Sequence, residues 1–345
     1  MTHIRRIVGR TLLAGLLLFI GAVPGVHASD GETLAQVKAR GVLRCGVSEG
    51  ITGFSSHDAA GLWTGIDVDF CRAVAAAALD SPDRVAFVPL RASERFPALE
   101  DGVIDVLARN TSWTLLREST LGVQFAGVLF YDSQAFMVRT QGAPQTLAGL
   151  RDAAVCVEKG TSSQAHLLAY SAANRLYLRP LVFASAAEAG AAFFSGRCSA
   201  WTSDASQLAA ARLHAPDGPQ TWVILPERIS QEPLGPAVRG DDRSWLVLVR
   251  WVLFALLTAE ELGVTRANLA QRSHEAVVLQ ALVAGDEVDR SLGVESGWML
   301  RAVQAVGNYG ELFDRNLGPN SPLDLERGLN RLWTRGGLMY VPPVR

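Results

Sequence analysis

The sequence predicts a two-lobed α/β protein, in which two open, mostly parallel sheets are joined by two crossover strands. Three observations support this prediction. Strand and helix patterns alternate along the chain from residue 41, the same alternation restarts at residue 152, and two extended segments link the two series. Such alternation is typical of parallel sheets with helices on their faces.

The first series begins with a short apolar run at residue 42. Its first helix has Phe70, Val74 and Ala78 on one face. Ser93 is placed to cap the second helix and Gly102 to end it. The predicted strands of this series are 42–47, 85–88 and 103–107, and the predicted helices are 67–79 and 93–99.

The second series repeats this order. An apolar run that contains Cys156 opens it, just as a run that contains Cys45 opens the first series, and Gly196 ends its second helix. The predicted strands are 153–157, 181–183 and 198–201, and the predicted helices are 161–170 and 186–194.

Two extended segments, 135–139 and 235–239, are expected to be the crossover strands. The chain then divides into lobe 1 (30–138, together with 239–345, which return to it and end in a helical extension) and lobe 2 (139–238). Polar residues follow the third strand of each lobe, at 109–112 and at 202–204. Because ligands bind beyond the carboxyl ends of such strands, we expect a cleft there.

Residues 1–28 have the features of a secretory signal peptide. Arg5 and Arg6 precede an apolar run, and small residues before position 29 predict cleavage after Ala28. The run has roughly a dozen residues, against about 20 for a membrane span. The stretch 245–257 is interrupted by Arg250 and predicts a buried amphipathic helix. We therefore expect a soluble protein in the periplasm.

Composition and charge exclude several classes of protein. The chain of 345 residues is 49% hydrophobic, which argues against disorder. Its net charge is −2, and −5 once the leader and its three arginines are removed, so nothing attracts nucleic acid. No metalloprotease, P-loop or dinucleotide motif occurs, and we expect neither a metal nor a cofactor.

The cysteines predict disulfides, because an even number in an exported protein is typical of such bridges. The four are Cys45, Cys71, Cys156 and Cys198. Their spacing does not match that of zinc ligands. Three pairings are possible. We favour Cys45–Cys71 and Cys156–Cys198, because each bridge then lies within one predicted lobe.

Several short motifs occur in a characteristic order. They are GIDVDF at 65–70, L-x-x-G-x-x-D at 99–105, SWTLLR at 112–117, GTS at 160–162, and G-R-x-x-A at 196–200 followed by Asp204. This order resembles the polar amino-acid-binding proteins of ABC importers (bacterial solute-binding protein family 3), which have the type 2 periplasmic-binding fold. Further segments resemble the general L-amino-acid-binding proteins within that family: 63–65, 109–115, 230–236, 306–310 and 336–343.

The resemblance implies a binding protein without catalytic residues. It would capture a free L-amino acid by hinge closure and deliver it to an inner-membrane ABC permease, and we expect it to act as a monomer. Arg117 matches the family's clamp for the α-carboxylate, and Asp204 matches the acid that receives the α-ammonium group. The candidate set at the carboxylate is completed by polar residues of the same motifs: Asn110, Ser112, Thr114, Thr161 and Ser162.

Each of these assignments has a plainer alternative. Arg117 taken alone is a surface helix arginine, and Asp204 is the N-cap of a helix at 205–213. Selectivity is expected from the loop 48–54, through Ser48, Glu49 and Phe54. Glu49 would favour cationic ligands if it faces the cleft. Phe54 either lines the cleft or packs in the core.

Two enzymatic interpretations remain beside the binding function. Residues 46–50 match the G-x-S-x-G nucleophile elbow, but they follow the first strand and no oxyanion loop precedes them. Some periplasmic dehydratases resemble this family, and Glu49 would then be a general acid. The alternative function is therefore a dehydratase-like enzyme that acts on a small carboxylate.

Overall fold

The computed structural model describes residues 31–344, so the predicted signal peptide lies outside the described residues. The strands are β1 Leu43–Ser48, β2 Ser56–His57, β3 Trp63–Thr64, β4 Val85–Leu90, β5 Val106–Leu107, β6 Val123–Phe125, β7 Phe130–Asp132, β8 Gln134–Arg139, β9 Ala154–Glu158, β10 Arg179–Phe183, β11 Ala200–Asp204, β12 Trp222–Ile224, β13 Glu232–Leu234 and β14 Ala237–Arg239. The helices are α1 Glu32–Arg40, α2 Ile66–Leu79, α3 Arg95–Glu100, α4 Leu115–Thr120, α5 Ser162–Ala173, α6 Ala186–Phe194, α7 Ala205–Leu213, α8 Arg243–Glu261, α9 Leu269–Arg272, α10 Ala276–Leu282, α11 Asp286–Leu292, α12 Trp298–Val306 and α13 Tyr309–Asn316.

Two five-stranded sheets of the same design form the framework. The first has the order β4-β1-β5-β14-β6 and the second the order β10-β9-β11-β8-β12. In each sheet three parallel strands are followed by one antiparallel strand and a last strand that pairs antiparallel with it. Four of the five strands therefore run in one direction, and the predicted pair of open, mostly parallel sheets is confirmed.

The chain passes between the sheets earlier than the sequence predicts. Segments 135–139 and 235–239 belong to β8 and β14, which are the antiparallel strands within the sheets. The connection itself consists of β7 and β13, which pair antiparallel with Asp132 opposite Glu232. Because β8 bonds within the second sheet, the boundary expected after residue 138 falls inside a strand of that sheet.

Local hydrogen bonds explain where the predicted elements begin and end. Thr161 caps α5, because its side chain accepts the N–H of Gln164. The predicted cap at Ser93 is wrong, since α3 begins at Arg95 after Glu94. Strand β5 is shorter than predicted because Val103 and Ile104 donate their N–H groups to Ala98 and close a turn.

The main core lies in the first lobe, where α2, α8 and α12 pack together. Helix α8 is the buried amphipathic helix that the sequence predicts: Trp245, Leu248 and Val252 are buried, and Arg250 donates to two carbonyls at the edge of the sheet. Among residues 31–344 no helix is both long and apolar enough to cross a membrane.

Both favoured disulfides are present. Cys45 in β1 bonds to Cys71 in α2, and Cys156 in β9 bonds to Cys198 just before β11. Each bridge joins elements that pack around the same sheet. The bridges therefore reinforce each sheet without linking one sheet to the other.

Replacing both Cys156 and Cys198 with alanine is expected to lower the free energy of unfolding by about 4 kcal/mol, because the unfolded chain regains the entropy of the closed loop. The bridge spans 42 residues. Urea unfolding of the variant and of the oxidised wild type measures the difference. Equal stability of the two proteins would show that the bridge does not constrain the unfolded chain.

Candidate functional site

The polar clusters at the carboxyl ends of the two sheets meet across a cleft. Asn110, which follows β5, donates its side-chain N–H to Asp204 Oδ2 at 3.4 Å. The hydroxyls of Ser112 and Ser162 lie 3.0 Å apart. In each pair one residue follows a strand of the first sheet and the other belongs to the second lobe, so the predicted cleft exists and these predicted residues face each other in it.

Two further contacts hold the lobes together. Nη2 of Arg109 lies 3.3 Å from Oε1 of Glu158 at the end of β9, and both side chains are buried. The backbones of the two lobes also approach closely at Gly160, where an added Cβ would lie 3.1 Å from Cα of Ser93 in the first lobe. The φ of Gly160 is +77°, which also favours glycine. The structure is therefore a closed arrangement of the two lobes.

These contacts enclose a narrow polar chamber with a volume of about 10 Å³. Its lining is entirely polar or charged: Arg95, Arg109, Asn110, Ser112, Glu158, Thr161, Ser162, Ser163, Ser203, Asp204 and Gln207. A space of this size holds about one water molecule. A larger ligand must therefore replace the contacts between the lobes.

Sequence analysis missed four residues of the chamber lining: Arg95, Glu158, Ser163 and Gln207. Of these, Arg95 is the one that carries a positive charge. It is 2% exposed, its Nε has no hydrogen-bond partner, and its Nη2 donates only weakly to the carbonyl of Gly160 at 3.5 Å. Burial lowers the pKa of Arg95, and the charges of Arg117 and Arg109 lower it further. The one available signal was an arginine at the start of an otherwise apolar helical segment, 95–99.

Arg117 is buried, so its interpretation as a surface arginine is wrong. Its Nη1 donates to the carbonyl of Ser112 at 2.6 Å, and its guanidinium lies over the ring of Phe96 with Cζ 5.3 Å from the centroid. Burial lowers the pKa of Arg117, and the charges of Glu232 and Asp204 oppose that effect. The side chain is held beside the chamber, not in its lining.

The buried carboxylates that act on this group of arginines are Glu158, Asp204 and Glu232, which belong to the second lobe and the crossing strands. Burial raises the pKa of Asp204 well above its ordinary value, and the charges of Asp132 and Glu232 raise it further. Burial also raises the pKa of Asp132, to about 6. Asp204 takes the N-cap position of α7, but its side chain makes no capping bond. Its carboxylate is thus available to the chamber.

Asn110 is held in an unusual backbone conformation by a buried acid. Its φ is +33°, and its N–H donates to Asp67 Oδ2 at 3.0 Å. Burial raises the pKa of Asp67 to about 7, although this hydrogen bond and the charge of Arg109 lower it. Asp67 therefore positions the loop that carries Asn110, a role that the motif at 65–70 did not reveal.

Not all predicted residues reach the chamber. Phe54 is 1% exposed and packs edge-on against Phe130, so it is a core residue. The side chain of Glu49 is 45% exposed and lies 3.6 Å from Arg91. Its exposure favours the alternative in which it faces water.

Ser48 and Thr114 also have local partners. The buried hydroxyl of Ser48 lies 2.6 Å from that of Ser55, so the G-x-S-x-G segment forms no pair with a histidine. Thr114 caps α4 by accepting the N–H of Arg117 at 3.3 Å. Thr114 therefore orients the helix that carries Arg117, whereas Thr161 and Ser162 line the chamber itself.

Two similar lobes that close over a chamber of opposed buried charges define a two-lobed binding protein. The chain belongs to the bacterial extracellular solute-binding proteins, family 3, whose family model matches residues 43–285. The resemblance seen in the sequence motifs is therefore confirmed.

Individual relatives are similar over nearly the whole chain. A general L-amino acid-binding periplasmic protein of Rhizobium johnstonii is 45% identical, covering 93% of this chain and 95% of its own. A glutamate/glutamine/aspartate/asparagine-binding protein of Rhodobacter capsulatus is 43% identical over 92% and 95%. A periplasmic binding protein from Brucella ovis, solved with glutathione bound, is 44% identical with a TM-score of 0.87, covering 92% of this chain and 100% of its own.

Replacing Asp67 with asparagine is expected to change how stability depends on pH. The folded protein keeps a proton on Asp67 up to a pKa of about 7, whereas the unfolded chain releases it near pH 4. The wild type should therefore lose stability as the pH rises from 4 to 7, by up to about 4 kcal/mol. The Asp67→Asn variant should not show this loss, because asparagine does not ionise.

Urea unfolding at pH 4.5 and 7.5 measures the effect, and Asp101→Asn, at an exposed position, is the matched control. The control should follow the wild type. If Asp67→Asn also follows the wild type, Asp67 does not retain its proton in the fold.

Proposed function

We propose that this protein binds free L-amino acids in the cleft between its lobes and delivers them to an ABC permease of the inner membrane. It works in the periplasm as a monomer, after the signal peptide is removed following Ala28. The observation that supports this most is the chamber itself. Buried guanidinium groups of the first lobe face buried carboxylates of the second lobe and the crossing strands.

The charges suit a zwitterion. Burying an ammonium or a carboxylate is costly unless each is paired and hydrogen-bonded. In our proposal Arg117 binds the α-carboxylate, with help from Asn110, Ser112 and Ser162, while Asp204 receives the α-ammonium group. The guanidinium group of Arg117 can donate two parallel N–H bonds, which match the two oxygens of a carboxylate.

Ligand capture is coupled to movement of the lobes. Asn110 and Asp204 bond across the closed cleft, as do Ser112 and Ser162. A ligand replaces these contacts with its own charges, and only the closed form supplies partners for both ends of the ligand. Differential affinity for the closed form drives hinge closure about β7 and β13.

Arg95 favours amino acids whose side chain carries a hydrogen-bond acceptor in addition to the α-carboxylate. Arg95 lines the chamber and its buried Nε has no partner, so a side-chain carboxylate or carboxamide of the ligand would supply the missing acceptor. The relatives named for general L-amino acids and for glutamate, glutamine, aspartate and asparagine agree with a range that includes such amino acids.

We assign no catalytic role to the chain. A dehydratase-like function needed Glu49 as a general acid in the cleft, whereas its exposed side chain lies beside Arg91. A hydrolase needed Ser48 next to a histidine, and its hydroxyl lies beside Ser55. Neither Glu49 nor Ser48, the residues on which these two reactions would depend, belongs to the chamber lining.

Thermal-shift screening of the ligand-stripped, refolded protein against the twenty amino acids tests the proposal, and Arg117→Ala tests the clamp. A ligand at 100 times its Kd stabilises the wild type by about 2.7 kcal/mol. Losing one partner of a buried ion pair costs about 3–5 kcal/mol, so Arg117→Ala should weaken binding more than a hundredfold.

Arg139→Ala is the matched control, because Arg139 is half exposed and pairs with Asp217 in the second lobe. It should bind as the wild type does. Absence of a shift with every amino acid, or turnover of one of them, contradicts the proposed function. Full affinity in Arg117→Ala contradicts only the clamp.

Binding is expected to release a proton and to strengthen as the pH rises. In the closed form without ligand, burial raises the pKa of Asp204, so the carboxyl group keeps its proton above the ordinary acid range. The ammonium group of the ligand favours the ionised carboxylate, so affinity falls as the pH drops below that raised pKa.

Titration calorimetry in two buffers with different ionisation enthalpies measures the protons released, between pH 5 and 8. Asp217→Asn, which alters an exposed acid of the same lobe, should leave the release unchanged. Affinity that is constant over this range, or that rises toward low pH, would rule out Asp204 as the ammonium acceptor in the form proposed.

A further inference from the structure

A second space between the lobes lies next to the polar chamber, and we call it the side compartment. Gln207 of α7 lines both spaces. The side compartment has a volume of about 140 Å³, against about 10 Å³ for the chamber. The larger of the two spaces therefore lies beyond the residues that would hold the charges of an amino acid.

Helix geometry gives the length of the side compartment. Gln207, Ala210, Ala211 and His214 all line it, and their spacing of three and four places them on one face of α7 and its C-terminal end. From Gln207 to His214 the axial distance is about 10 Å. The first turn of α6 and the loop 50–52 of the first lobe form the other walls.

The lining is mostly apolar and carries no permanent charge. It includes Ile51, Thr52, Ala187, Trp201, Ala211 and His214, and within residues 31–344 no aspartate, glutamate, lysine or arginine contributes to it. Near the far end of the α7 face, Thr52 Oγ1 of the first lobe lies 3.1 Å from His214 Nε2 of the second. Thr52 and His214 thus bridge the two lobes at this end of the compartment, which stays open to solvent beside the exposed Gly50 and Ala187.

We propose that the side compartment binds the distal part of an extended ligand: an α-amino acid whose side chain continues past the chamber as a long neutral group. This inference rests on the proposed function, since the amino-acid head group occupies the chamber. A charged end finds no side chain of opposite charge in this lining, whereas a neutral apolar end gains contact with Ile51, Trp201 and the alanines of α7.

The two spaces then bind different parts of one ligand. The chamber binds the α-amino and α-carboxylate groups, and the side compartment accommodates side chains of different lengths. N5-substituted glutamines are the simplest ligands of this class, because the head group stays the same while the neutral substituent grows.

Titration calorimetry with L-glutamine, N5-ethyl-L-glutamine and γ-L-glutamyl-p-nitroanilide tests this inference. We expect the wild type to bind all three. Ala211→Phe fills the compartment from a half-exposed position. It should weaken binding of the p-nitroanilide at least tenfold while changing the Kd of L-glutamine less than threefold.

Ala187→Phe fills the same compartment from α6 and should behave alike, which guards against a fault in one variant. Ala209→Phe is the matched control, because Ala209 lies on the same helix but lines a different groove. It should bind all three probes as the wild type does.

Three results overturn the inference. In the first, the wild type binds L-glutamine but neither of the longer probes. In the second, both filled variants lose as much affinity for L-glutamine as for the longer probes. In the third, the wild type binds L-alanine but none of the three glutamine probes. Failure of every amino acid to bind would instead remove the proposed function, and this inference with it.

Discussion

The cost of burying charge governs this structure. Arg95, Arg109 and Arg117 lie close together out of water, and only Arg109 has a close carboxylate partner, Glu158. A buried charge without a partner is costly, so the guanidinium groups favour whatever brings negative charge to them. The closed lobes supply part of that charge, and a ligand that carries both signs can supply the rest.

The fold makes this arrangement possible by placing two sheets with their carboxyl ends facing each other. Residues after β5 and at the end of β11 meet in the cleft, as Asn110 and Asp204 do. The pair β7 and β13 joins the two sheets, and in the proposed closure the lobes move about it as units. Each sheet keeps its own disulfide, so opening the cleft strains neither bridge.

The predictions that succeeded rest on local patterns. Alternating periodicity predicted both sheets, most of α5 and the whole of α6, because apolar spacing and caps are properties of consecutive residues. The local pattern left two alternatives open wherever the prediction depended on the direction of a side chain. Phe54 packs against Phe130, and Glu49 faces solvent, because the bends of a loop, not its composition, decide which way a side chain points.

The sequence by itself determined the class of fold and the family with its Arg117 and Asp204 motifs, and it favoured the disulfide pairing that the structure then established. The tertiary structure alone decided that Arg95 joins them, that Asp67 holds the strained loop at Asn110, and that a neutral compartment adjoins the chamber. The physical reason is distance along the chain: these contacts join elements far apart in sequence, and no local periodicity encodes them.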